Sequence, residues 1–141
     1  MKSNEKLNLR NKVLAIVGPT ASGKSEMAVR LARQFYGEII SADSRQVYRG
    51  LDIGTAKISY ELRSRKMYYQ GIRHHLIDVA SPRQQFSAAR FQKLGQKALL
   101  DILWRGKVPI ICGGTGFYID ALLSLDLIPA IPPQRGLRQE L

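Results

Sequence analysis

The sequence predicts an α/β domain: a parallel β-sheet with helices on both faces. Two observations predict it. Short apolar runs, "KVLAIVG", "EIISAD", "HHLIDVA" and "VPIIC", alternate with stretches of helical periodicity, the pattern of βαβ units around a doubly covered sheet. Glycine-rich turns, "GPTASGKS" and "GGTG", follow the first and fourth runs, and turns at strand carboxyl ends are where such sheets bind ligands.

Taken in order, residues 1–12 are charged and have no apolar signal region after them, so they read as a disordered lead-in to a core at 13–125. Lys12 to Gly18 is a buried strand stopped by Gly-Pro. "KSEMAVRLARQF" is a helix with Met27, Leu31 and Phe35 on its apolar stripe and Gly37 at its end. "EIISAD" is the second strand. Residues 44–73 are polar, and "YELRSRKMYYQGIR" within them reads as a helix followed by a loop. "HHLIDVA" is a third, shorter strand.

"SAARFQKLGQKALLDILWRG" is the longest helix, with Ser87 as N-cap and Gly106 as stop. Ala88, Phe91, Ala98, Leu99, Ile102 and Leu103 recur at helical spacing opposite a basic face of Arg90, Lys93 and Lys97. "VPIIC" is the fourth strand and "FYIDALLSL" a last helix. Residues 126–141 hold three of the six prolines and read as a linker opening a further element, so a fragment is expected.

Composition narrows the classes. The chain has 141 residues, 45% hydrophobic and 23% charged, enough for one domain with a real core. No apolar run approaches the ~20 residues of a membrane span, so no membrane partner is expected. Cys112 is the lone cysteine; it cannot form an internal disulfide, which suits a reducing cytoplasm, and its place in "VPIIC" makes it a core residue. His74 and His75 are adjacent on a strand and point to opposite faces, which favours packing or hydrogen bonding over a shared metal. A net charge of +11 makes nucleic acid a natural partner.

The chemistry starts at Gly18-Pro19-Thr20-Ala21-Ser22-Gly23-Lys24-Ser25, which satisfies G-x-x-x-x-G-K-[ST] between a strand and a helix. Glycines let successive backbone N–H groups curl around phosphate oxygens, and the helix N-terminus adds partial positive charge. Lys24 supplies a point charge to the outer phosphate, and the Ser25 hydroxyl is positioned to hold Mg²⁺. The fourth strand ends in "GGTGFY" without an acid, whereas "EIISAD" ends in Asp43. Asp43, Asp78 and Thr115 all follow strands and so surround whatever the loop binds. Chemistry is the favoured role for Asp43; for Asp78, capping or fold support is as good a reading. "GGTG" permits close approach of a substrate beside Thr115, with a capped strand-to-helix turn as the plainer alternative.

"SADSRQVYRGLDIGTAK", together with "GPTASGKS", "HHLIDV", "FSAARF" and "RGKVPIICGGTGFYIDALL", closely resembles the tRNA dimethylallyltransferases over residues 13 to 128. The resemblance implies a P-loop kinase-like fold and transfer of a dimethylallyl group from dimethylallyl diphosphate to the exocyclic amine of the adenosine 3′ of the tRNA anticodon. It implies diphosphate on Thr20 to Ser25, contacts from Asp43, Ser44, Arg45 and Gln46 to the tRNA anticodon stem-loop, and Asp43 and Thr115 at the reacting centre. A cytoplasmic monomer is expected. Ile58 and Arg73 stand where the family usually has proline, and its members are longer, with a helical insertion that clasps the anticodon arm. The alternatives are a small-molecule kinase using ATP, a prenyltransferase acting on free adenine nucleotides, and a noncatalytic RNA-binding module.

Overall fold

The computed structural model describes residues 12–19, 23–49, 61–114 and 116–124. The expected lead-in and linker therefore lie almost wholly outside the described residues. Among the described residues six strands form one sheet: β1 (Leu14–Val17), β2 (Gly37–Ser41), β3 (Glu61–Arg63), β4 (Lys66–Tyr69), β5 (Ile72–His75) and β6 (Val108–Gly113), in the order β1-β6-β2-β5-β4-β3. Pairing is parallel from β1 through β5 and antiparallel from β5 to β3. The parallel core matches the sequence pattern; the sheet as a whole is mixed.

Helices cover both faces because alternate residues of the central strands point opposite ways. Ile39 and Ile110 pack under α1 (Lys24–Phe35), with Ala28, Val29 and Ala32. Ile40 and Ile111 pack under α2 (Ala88–Trp104) and α3 (Gly116–Leu123), with Phe91, Ile102, Tyr118 and Leu122. Register makes both layers continuous: Ile39 lies beside Ile110 and Ile40 beside Ile111. Ser87 caps α2 by accepting from the Arg90 N–H at 3.1 Å, and Gly106 follows at φ +76, a conformation glycine adopts freely.

Several expectations are corrected. The stretch expected as a helix then a loop is instead the β3–β4 hairpin leading into β5. Its two-residue turn, Ser64-Arg65, is left-handed at both positions, with φ 49 and 63. That is the geometry a tight hairpin needs, supplied here without the Asn-Gly or Asp-Gly signal that advertises it. The third strand is Ile72–His75 and ends at the histidines, because Leu76 turns to φ 65.

Strand β1 is not buried on both sides; among the described residues it lies at the sheet's edge, and Val17 is 61% exposed. In α1, Leu31 and Phe35 pack against the core, but the fully buried residues are Ala28, Val29 and Ala32, and Met27 is 55% exposed. Small residues face the sheet because the helix lies close upon it. Helix α1 is closed by Tyr36 at φ 56, and Gly37 opens β2, where a Cβ would meet the Val108 carbonyl oxygen at 2.6 Å. Trp104, at the end of α2, is 91% exposed.

The histidines are structural, on opposite faces. His74 Nδ1 lies 3.0 Å from the Ile72 carbonyl oxygen, and its ring meets Tyr69 edge-on. Burial drives its pKa down to about 4, partly opposed by that backbone bond. Between pH 6.5 and 4 the unfolded chain therefore takes up a proton that the folded chain refuses, so stability falls with falling pH. The expected loss is about 3 kcal/mol by pH 4, with Glu38 adding to it below pH 4.5. Urea midpoints across this range check it, and His74→Leu should flatten the profile above pH 4.5.

Candidate active site

The carboxyl ends of β1, β6 and β2 converge at one end of the sheet. Val17 pairs with Gly113, and Ser41 pairs with Cys112. The approach is close because β6 ends in glycines. A Cβ on Gly113 would sit 2.2 Å from the Ala42 carbonyl oxygen, and one on Gly114 would sit 3.0 Å from that of Gly18 and 4.0 Å from Lys24 Nζ. Bare backbone at Gly113–Gly114 thus brings Ala42-Asp43 and Gly18-Lys24 to one crevice. Gly113→Ala should cost about 1–3 kcal/mol by forcing β6 from β2. Gly116→Ala, where a Cβ meets nothing within 4 Å, is the control; denaturation midpoints compare them.

Of the glycine loop, Gly18, Pro19, Gly23, Lys24 and Ser25 are described; Thr20, Ala21 and Ser22 lie outside the described residues, as does Thr115. Gly23 caps α1 at φ +81, which only glycine adopts without strain. Lys24 opens α1 and donates from Nζ to the Pro19 carbonyl oxygen at 3.0 Å, so its ammonium folds back over the loop. It also lies near Cys112, whose thiol burial pushes up and Lys24 draws down. Ser25 follows in the first helical turn.

Asp43 stands just past β2, half-buried, and its Oδ1 accepts from the Arg45 N–H at 2.8 Å and the Gln46 N–H at 3.4 Å. It therefore caps the turn over residues 44–47 while projecting at the crevice end of its strand. Ser44 and Arg45 are exposed. Gln46 turns inward instead: its Oε1 accepts from Ser41 Oγ at 2.7 Å. The Asp78 N–H donates to the Gln46 carbonyl at 3.0 Å, so Asp78 helps strap this turn to the end of β5.

The sequence reading passed over Tyr48 and Tyr118. Tyr118 is buried, stacks on Phe91 at 4.1 Å between centroids, and has its pKa raised by burial and then by nearby Tyr48 and Asp43. Tyr48 Oη accepts from the Phe86 N–H at 3.2 Å. Tyr48 and Asp43 thus both lie near Tyr118. The only sequence signal of the two tyrosines was an aromatic residue shortly after each glycine- or acid-bearing turn.

Among the described residues no cluster of three or more His, Cys, Asp or Glu could hold a metal. The Ser25 hydroxyl is a hard oxygen donor of the kind that suits Mg²⁺. No helix among the described residues is long and apolar enough to cross a membrane.

Fold and crevice together define an α/β protein with a lysine-bearing glycine loop after β1 and a carboxylate after β2, the two strands flanking β6. The family described as IPP transferase matches residues 46–141, and that described as isopentenyl transferase matches residues 11–78. A tRNA dimethylallyltransferase 2 of Geotalea daltonii is 57% identical over 124 residues, covering 88% of this chain and 35% of the relative. The crystal structure of the tRNA isopentenylpyrophosphate transferase of Bacillus halodurans superposes with a TM-score of 0.75 at 44% identity, over 92% of this chain and 41% of that one. A eukaryotic dimethylallyltransferase captured acting on tRNA gives a TM-score of 0.72 at 33% identity, over 90% of this chain and 31% of that one. The chain belongs to the IPP transferase family. It spans well under half the length of these relatives.

Proposed function

We propose that the chain carries the catalytic core of a tRNA dimethylallyltransferase, moving a dimethylallyl group from dimethylallyl diphosphate to the exocyclic amine of the adenosine 3′ of the anticodon. The observation that carries the reading is the glycine contact that joins Asp43's strand end to the Lys24 loop. Transfer breaks the C–O bond to the diphosphate, which leaves with the bonding pair. It forms a C–N bond to the amine, which loses a proton. Lys24, the loop N–H groups and the α1 N-terminus hold the departing negative charge. Asp43 faces the nucleophile, orienting its N–H and taking the proton, as a weakly nucleophilic aromatic amine requires. Ser25 would hold Mg²⁺, which supplies further charge neutralisation on the diphosphate. The adenosine must leave its stack to reach the crevice, where Thr115, Ser44, Arg45 and Gln46 are assigned to the RNA. We place the protein in the cytoplasm, as a monomer.

The test is incubation with labelled dimethylallyl diphosphate, Mg²⁺ and an unmodified anticodon stem-loop, using this chain and a form extended to its relatives' length. Label in the RNA is expected. Label in AMP instead would reassign the acceptor to a free nucleotide, and tight MgATP binding without prenyl transfer would make the protein a kinase.

A further inference from the structure

A second charged cavity lies at the opposite end of the sheet. Its centre is Glu38, second residue of β2, only 2% exposed and unremarked in the sequence. Arg105 grips it through both terminal guanidinium nitrogens: Nη2 donates to Oε1 at 2.9 Å and Nη1 to Oε2. His75 Nε2 lies 2.7 Å from Oε1, Lys107 Nζ 3.2 Å from Oε2, and Arg73 Nη1 3.8 Å from Oε1. These partners, against the cost of burial, hold the carboxyl far below its usual range. It is a permanent anion.

One carboxylate does not balance what surrounds it. The cavity, about 250 Å³, is lined by Arg33, Lys66, Arg73, Arg105 and Lys107 as well as Glu38. Five cations thus share one lining anion. Asp101 offsets part of Arg105 from outside, by accepting from its Nε and Nη2. Arg105 is committed by these bonds. Arg33, which donates to the Gln70 carbonyl at 2.8 Å, and Lys107, held over the Tyr36 ring at 4.7 Å, are fixed in place yet retain further N–H donors. Fixed donors around unbalanced positive charge favour a second anion.

We propose that this cavity, at the amino-terminal ends of β2, β5 and β6, is a second anion site that takes a phosphate oxyanion on Arg33, Lys66, Arg73 and Lys107. Its volume of about 250 Å³ leaves room for a mono- or diphosphate group. The strands run about 20 Å from one end of the sheet to the other, so this site is separate from the glycine loop and does not rest on the assigned reaction. The phosphate comes either from free diphosphate or from an RNA backbone. Exposed Arg63 and Arg65 continue the basic surface along the β3–β4 hairpin and offer a backbone further contacts.

Amide NMR of the Lys24→Ala chain, whose loop site is weakened, tests this with pyrophosphate and separately with an anticodon stem-loop. Saturable shifts at Gly71, Ile72 and Lys107 are expected, weakened at least tenfold by Arg33→Ala with Lys66→Ala, two exposed residues whose loss leaves Glu38 paired. Shifts with pyrophosphate identify a free anion. Shifts with RNA alone, accompanied by a log–log salt slope shallower by about 2 in the double variant, identify a phosphodiester. If neither ligand moves these amides, or the double variant leaves the shifts unchanged, the site does not exist.

Discussion

Asp43→Ala is expected to lower turnover of an anticodon stem-loop by ~10² or more while donor affinity stays unchanged. The separation follows from position: Asp43 follows β2, whereas the diphosphate is assigned to the loop after β1. Because Asp43 also caps its own turn through the Arg45 and Gln46 N–H groups, alanine alone confounds chemistry with geometry. Asp43→Asn resolves this. Its amide oxygen still accepts both bonds, so the turn survives, but the negative charge is gone. Loss of turnover in both variants assigns Asp43 to the reaction; recovery in asparagine makes it a structural cap. Single-turnover rates and calorimetric donor titrations supply both readouts.

Glu38→Gln is expected to cost about 3–5 kcal/mol, measured by urea denaturation followed by circular dichroism. Glutamine keeps the shape and an acceptor for Arg105, yet removes the carboxylate charge that Arg105, Lys107 and Arg73 share. Arg105 and Lys107 are themselves part-exposed and can rehydrate, which sets the effect toward the lower end of that range. The variant leaves the crevice residues untouched, so folded protein should bind donor normally.

What the sequence disclosed depended on how locally each feature is encoded. The strand–helix alternation and the Ser87 cap are each carried by contiguous residues, so both were readable. The β3–β4 hairpin was hidden because Ser64-Arg65 adopts left-handed turn geometry without turn-type residues, and because "ELRSRK" is as polar as an exposed helix. The Glu38 cluster was hidden for another reason: its partners come from β5 and from the chain between α2 and β6, and only the sheet brings them together. β1 misled because apolar content signals a strand but not how deeply its residues are buried.

The bare indole of Trp104, the protein's one tryptophan, fixes what intrinsic fluorescence can report. It already sits in water in the native state, so its emission changes little on denaturation and is a poor witness to melting. Quenching on mixing with another molecule would instead signal an encounter at the tail of α2.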